Sequence, residues 1–219
     1  MKKLVYVGPS WAVQNFDRIQ PQKYTNLKTL LSLQTTDLSH LGSSNWENLL
    51  RIKQEKKYQG IIWIYCEPLM DIETFGISTI NDLLKSENFW ELRRECNRVM
   101  LNKMNELGCP VAVIGAHSDI VDNDYNNLYT VHHSWQNFLG NQINLNIEEG
   151  WGAEVAHRWF LRRNIKPSHN LVDKISTTFK FWKQLEAQDL FYEVHPTYKG
   201  NELFAEAIKE KVYNFIDQL

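Results

Sequence analysis

Cysteine is scarce in this chain: Cys66, Cys96 and Cys109 are the only three among 219 residues. An odd number without a repeated spacing argues against a disulfide framework and suits reduced thiols in a cytoplasm. Long apolar runs are also missing, and no stretch approaches the ~18 residues of a membrane span. Behind Met1-Lys2-Lys3, only about five apolar residues precede Gly8-Pro9, short of the roughly 7–15 of a signal peptide's apolar region. The expectation is a soluble, cytoplasmic protein made without export by that route. Charge of one sign is absent as well, with 24 Lys plus Arg against 26 Asp plus Glu, so no field favours nucleic acid or an anionic membrane.

Several motifs are lacking too. There is no Gly-x-Gly-x-x-Gly or Gly-x-x-x-x-Gly-Lys-Ser/Thr for a nucleotide, and no Gly-x-Ser-x-Gly elbow. His117, His132, His133 and His157 do not show the i, i+4 or paired-cysteine spacings of a metal site, so no metal is expected. What the chain has in quantity is aromatics, with eight Trp, nine Tyr and ten Phe. These fill cores, and sugars also stack on them.

Leu4 to Val7, Ile61 to Tyr65 and Val111 to Ile114 are short continuous apolar runs, which predict strands buried on both faces of a parallel sheet. Leu30 to Leu38, broken by polar residues, is read as a fourth strand. Helical spacing runs from Phe89 through Cys96 and Met100 to Leu107, with Ser86 as N-cap and Gly108 and Pro110 as the stop. Further helices are read at Asn45 to Lys57, Ala153 to Arg163, Val172 to Ala187 and Thr197 to Leu219. Ser118 to Gly152 has no clear period and is read as an excursion over the strand ends. The whole chain, 1–219, is read as one α/β domain with right-handed crossovers. In such sheets ligands bind beyond the carboxyl ends of the strands, which singles out Ser10, Gly42, Glu67 and His117.

Two segments carry the chemistry. Leu4-Val5-Tyr6-Val7-Gly8-Pro9-Ser10-Trp11 runs a buried strand out onto a serine, and Glu193-Val194-His195-Pro196 sets an acid and a histidine before the last helix. Serine, histidine and carboxylate are the parts of nucleophilic acyl transfer.

With Leu38-Ser39-His40-Leu41-Gly42-Ser43-Ser44-Asn45 between them, these segments resemble, in order, blocks of the SGNH hydrolases, the GDSL-like esterases and lipases. Pro9 stands where the first block has Asp. Ile64-Tyr65-Cys66-Glu67-Pro68 stands where the third block ends in an Asn, so Glu67 replaces that oxyanion donor. The acid lies two residues before His195 instead of the commoner three. The resemblance implies a three-layer α/β/α sandwich with a flavodoxin-like parallel sheet, and a serine esterase that needs no metal or cofactor. It implies Ser10 as nucleophile, His195 as base, Glu193 as its orienting acid, and Gly42, Asn45 and Glu67 as oxyanion- or substrate-binding positions. The expected substrate is a small-molecule or glycan ester of a small acyl group, such as acetyl. The alternative is a binding or structural protein that keeps the fold with a decayed site.

Overall fold

The structure, a computed structural model, describes residues 3–13, 26–55, 57–71, 89–117, 120, 125–147, 150–162, 164, 166 and 169–219. Five parallel strands form one sheet: β1 (Leu4–Val7), β2 (Thr35–Asp37), β3 (Gly60–Tyr65), β4 (Val111–Gly115) and β5 (Leu128–His132). Their order is β2-β1-β3-β4-β5. This is the flavodoxin-like doubly wound order.

Side chains alternate faces along a strand, and here both faces are covered. Tyr6, Ile62, Ile64, Ala112, Ile114 and Val131 pack on one side with Trp11, Trp135, Phe204, Ile208, Val212 and Phe215. Val5, Val7, Ile61, Trp63, Val111 and Val113 pack on the other with Leu49, Ile52, Met100, Leu101 and Met104. The first layer contains α1 (Ser10–Val13), α2 (Leu27–Leu30), α5 (Trp135–Asn141), α7 (His169–Ala187) and the closing helix α8 (Tyr198–Gln218). The second contains α3 (Asn45–Gln54) and α4 (Phe89–Asn105). A further helix, α6 (Gly150–Arg162), packs against α7. The fold is an α/β/α sandwich, and no helix among the described residues is long and apolar enough to cross a membrane.

The structure corrects three sequence readings. Leu30 to Leu38 is strand only at Thr35–Asp37. Leu30 is the last residue of α2, which Asn26 caps by accepting from the Thr29 N–H at 3.0 Å, and the chain then turns through Leu31 and Ser32, the latter at φ 50°. Leu27, Leu31 and Leu33 are buried, so an apolar run was present without being a strand. The 118–152 segment holds β5 and α5, with Ser134 capping α5 by accepting from the Asn137 N–H at 3.2 Å. The sequence spacing places Leu203, Phe204, Ala207, Ile208, Val212 and Phe215 on one buried stripe of α8, but Leu203 and Ala207 are exposed and Ala205 takes a buried place beside Phe204. Ser86 lies outside the described residues.

Candidate active site

Ser10 opens α1 directly beyond the carboxyl end of β1. Two contacts fix that exit. A Cβ on Gly8 would meet Ile64 Cβ at 2.6 Å and Ala12 Cβ at 2.8 Å, so only glycine lets the chain turn so close to β3. The Tyr6 hydroxyl donates to the Ala12 carbonyl at 3.3 Å, tying the helix back to its own strand.

His195 arrives from the far end of the chain. Phe191–Tyr192 and His195–Pro196 form a short antiparallel ribbon (β6 and β7), in which Tyr192 pairs with His195. The link between them is only Glu193-Val194, at φ 43° and 65°. Two positive φ values in a two-residue hairpin define a type I′ turn, whose usual residues are Asn-Gly. Glu and Val in left-handed backbone carry about 1–3 kcal/mol of strain each. Behind the ribbon, Thr197 caps α8 by accepting from the Gly200 N–H at 3.2 Å and donates to the Asp189 carbonyl at 2.6 Å. Gly200 allows this, since a Cβ there would stand 2.4 Å from the Leu190 carbonyl oxygen.

The ribbon sets His195 Nε2 2.7 Å from Ser10 Oγ, across 185 positions of sequence. On the opposite side of the ring, Nδ1 lies 2.8 Å from the Glu193 backbone oxygen. A carbonyl only accepts, so Nδ1 carries the proton and the neutral ring turns its Nε2 lone pair to the serine, whose O–H donates. Burial pushes the His195 pKa below the usual histidine value, against the opposing pull of the Glu193 carbonyl and charge. The ring is therefore neutral at pH 7 and able to accept a proton.

The remaining expected positions divide. Gly42 is the exposed apex of the loop after β2, in left-handed backbone at φ 69°. That loop is anchored two residues before Ser10: the His40 N–H donates to the Gly8 carbonyl at 3.0 Å, and the buried Ser43 hydroxyl lies 3.1 Å from the same oxygen. Glu193 contributes its backbone oxygen to His195 while its side chain is exposed.

Asn45 is fully buried and braces the end of β3. Its Nδ2 donates to the Cys66 carbonyl at 3.0 Å, and its Oδ1 accepts from the Cys66 N–H at 2.8 Å and from Trp63 Nε1 at 3.3 Å. Glu67, also fully buried, is forked onto Arg93 at 2.9 and 3.2 Å. These contacts commit both side chains to the interior, contrary to the ligand-facing role expected of them. The third-block position thus holds an internal ion pair whose cation stands 26 positions later, with nothing in the local sequence to announce it.

Two residues without an assigned role border the histidine. Trp11, next to Ser10, is fully buried and donates from Nε1 to the Val194 carbonyl at 2.9 Å. His117, beyond β4, lies with its ring centroid 4.1 Å from that of Trp11. The thiols make poor nucleophiles, because burial raises Cys96 to about 12 and Cys109 to about 11, and raises Cys66 well above its usual value. Among the described residues, no three His, Cys, Asp or Glu side chains are grouped to hold a metal.

No family model and no curated protein sequence matches the chain. Solved structures do. The Bacillus subtilis protein YxiM is 13% identical, with a TM-score of 0.41, covering 98% of this chain and 57% of its own. A catalytic mutant of Axe2, an acetylxylan esterase from Geobacillus stearothermophilus, is 11% identical with a TM-score of 0.42, covering 96% of this chain and 94% of its own. The M. smegmatis aryl esterase is 10% identical with a TM-score of 0.38, covering 98% of this chain and all of its own. At such identities the likeness concerns the fold alone. The strand order independently defines the class: an α/β protein with a flavodoxin-like parallel sheet, the architecture that the SGNH resemblance implied.

Proposed function

We propose that this chain is a serine esterase that hydrolyses small acyl esters, such as acetyl groups on carbohydrates. The observation that carries the reading is the 2.7 Å approach of Ser10 Oγ to His195 Nε2, with His195 Nδ1 held at 2.8 Å by a backbone carbonyl. In this mechanism, Ser10 attacks the ester carbonyl carbon as its proton passes to Nε2. The oxyanion forms beside the Ser10 and Gly42 N–H groups, and the Glu193 carbonyl stabilises the imidazolium. The imidazolium then protonates the departing alkoxide, which leaves as the alcohol. Water, deprotonated by His195, cleaves the acyl-serine ester to release the carboxylic acid and restore Ser10.

The test is labelling with a fluorophosphonate, mapped by peptide mass spectrometry, on wild type, Ser10→Ala and His195→Ala. The adduct is expected on Ser10, absent from Ser10→Ala, and formed at least about 100-fold more slowly in His195→Ala. Release of acetate from acetylated sugars then defines the substrate. A folded wild-type sample that takes no adduct overturns the reading in favour of a binding protein that keeps the fold.

A further inference from the structure

The turn that aims His195 is one the chain should resist. Val194 is β-branched, yet it sits at φ 65° beside Glu193 at φ 43°, where glycine or asparagine is the usual choice. The carbonyl of this strained residue is held. Trp11 Nε1 donates to it at 2.9 Å, and the buried His117 ring lies against Trp11 at a centroid distance of 4.1 Å, where the Val194 backbone pulls its pKa upward against the larger effect of burial. Both rings are rigidly seated. Trp11 is fully buried, with Trp135 and Phe191 against it at centroid distances of 5.4 and 5.6 Å, and His117 is 2% exposed. Burial first, and then the neighbouring His195, hold the His117 pKa well below the usual value, so it adds no positive charge where the imidazolium would form.

Connectivity gives the arrangement its significance. Trp11 follows Ser10 on the same turn of α1, and Val194 precedes His195 on the ribbon. The indole N–H therefore joins the segment carrying the serine to the segment carrying the histidine. His117, on the strand-end loop of β4, reaches the same neighbourhood from the sheet through its contact with Trp11.

We propose that Trp11 and His117 are positioning residues for His195. By holding the Val194 carbonyl, they keep the Glu193-Val194 turn in the left-handed form that presents the Glu193 carbonyl to Nδ1 and leaves Nε2 facing Ser10. The effect on rate rests on the esterase reading, whereas the effect on the ring can be measured without turnover.

The experiment records ring ¹⁵N and ¹H spectra of His195, which report its tautomer, together with the fluorophosphonate labelling rate at Ser10. It compares wild type with His117→Phe, which keeps an aromatic ring but no N–H, and His117→Gln, which restores a donor. Val194→Gly and the His117→Phe/Val194→Gly double variant complete a cycle, because glycine occupies φ 65° without a restraint. In His117→Phe, the Nδ1–H resonance is expected to shift and labelling to slow about 10-fold or more. His117→Gln recovers most of both, and in the Val194→Gly background the His117→Phe penalty shrinks to about threefold or less. Wild-type His195 spectra in folded His117→Phe, no recovery with Gln, or a penalty unchanged by Val194→Gly would each overturn the proposal. If His117→Phe does not fold, the Gln and Val194→Gly spectra decide alone: the wild-type tautomer in both supports it, and its loss in Gln refutes it. A wild-type protein that is never labelled refutes the esterase reading instead, and the spectra still decide the role of His117.

Discussion

Replacing Glu193 by Gln removes one formal charge and leaves in place the backbone carbonyl that meets His195 Nδ1 at 2.8 Å. If that carbonyl orients the ring, the variant loses only the attraction between an exposed carboxylate and the imidazolium formed during attack. In solvent, such a charge contributes about 1 kcal/mol or less, so the labelling rate at Ser10 and the hydrolysis of p-nitrophenyl acetate fall by no more than about fivefold. If the carboxylate were the orienting group, the loss would be about 10⁴-fold. The pH profile supplies a sign. His195 must be neutral to act, and its pKa is already held below the usual value by burial and supported from below by the Glu193 charge. Removing that charge lowers the pKa further, so the acid limb of the rate profile moves to lower pH in Glu193→Gln. A loss of 10³ or more, or an acid limb displaced upward, would refute the carbonyl as orienting group.

Asp71 gives a stability test. Burial raises its pKa from 3.8 to about 6, against the Trp46 N–H that donates to it at 2.8 Å. A group raised in the folded state favours folding while protonated, and that contribution disappears as pH rises through about 4 to 6. Urea unfolding of wild type minus Asp71→Asn should therefore show a relative loss of about 2 kcal/mol between pH 4 and 7.5. Parallel curves would show that Asp71 does not titrate this way. Asn45→Ala strips the Cys66 N–H and C=O of their buried partners and should cost about 3 kcal/mol in the same assay. A cost below about 1 kcal/mol would remove Asn45 as the brace of β3.

What the sequence revealed, and what it hid, follows from where each signal is stored. β1, β3 and β4 were legible as unbroken apolar runs because every residue in them is buried. β5 was not, because among the described residues it pairs only with β4 and buries Val131 alone of its five, so its pattern never becomes a run. Asn45 and Glu67 were expected to face a ligand because of the family resemblance, and Glu67 also because it lies beyond the carboxyl end of β3. Their partners are the Cys66 backbone and Arg93, 21 and 26 positions away, which no local pattern encodes.

The acid before His195 shows the same limit more sharply. A motif records side chains and so points to the Glu193 carboxylate, where the structure brings the Glu193 backbone oxygen to 2.8 Å from Nδ1. Every residue except for its conformation offers the same carbonyl, so what selects this oxygen is the φ of 43° and 65° at Glu193 and Val194. Nothing in a Glu-Val pair announces a type I′ turn, for which Asn-Gly is the recognisable signal. The turn is imposed from outside, by a hydrogen bond to Val194 from Trp11, 183 positions earlier. A histidine oriented by a carbonyl tolerates many side chains at 193, provided the turn is kept. Selection on such a site would act on Trp11 and on the turn geometry more than on the acid that a motif search expects.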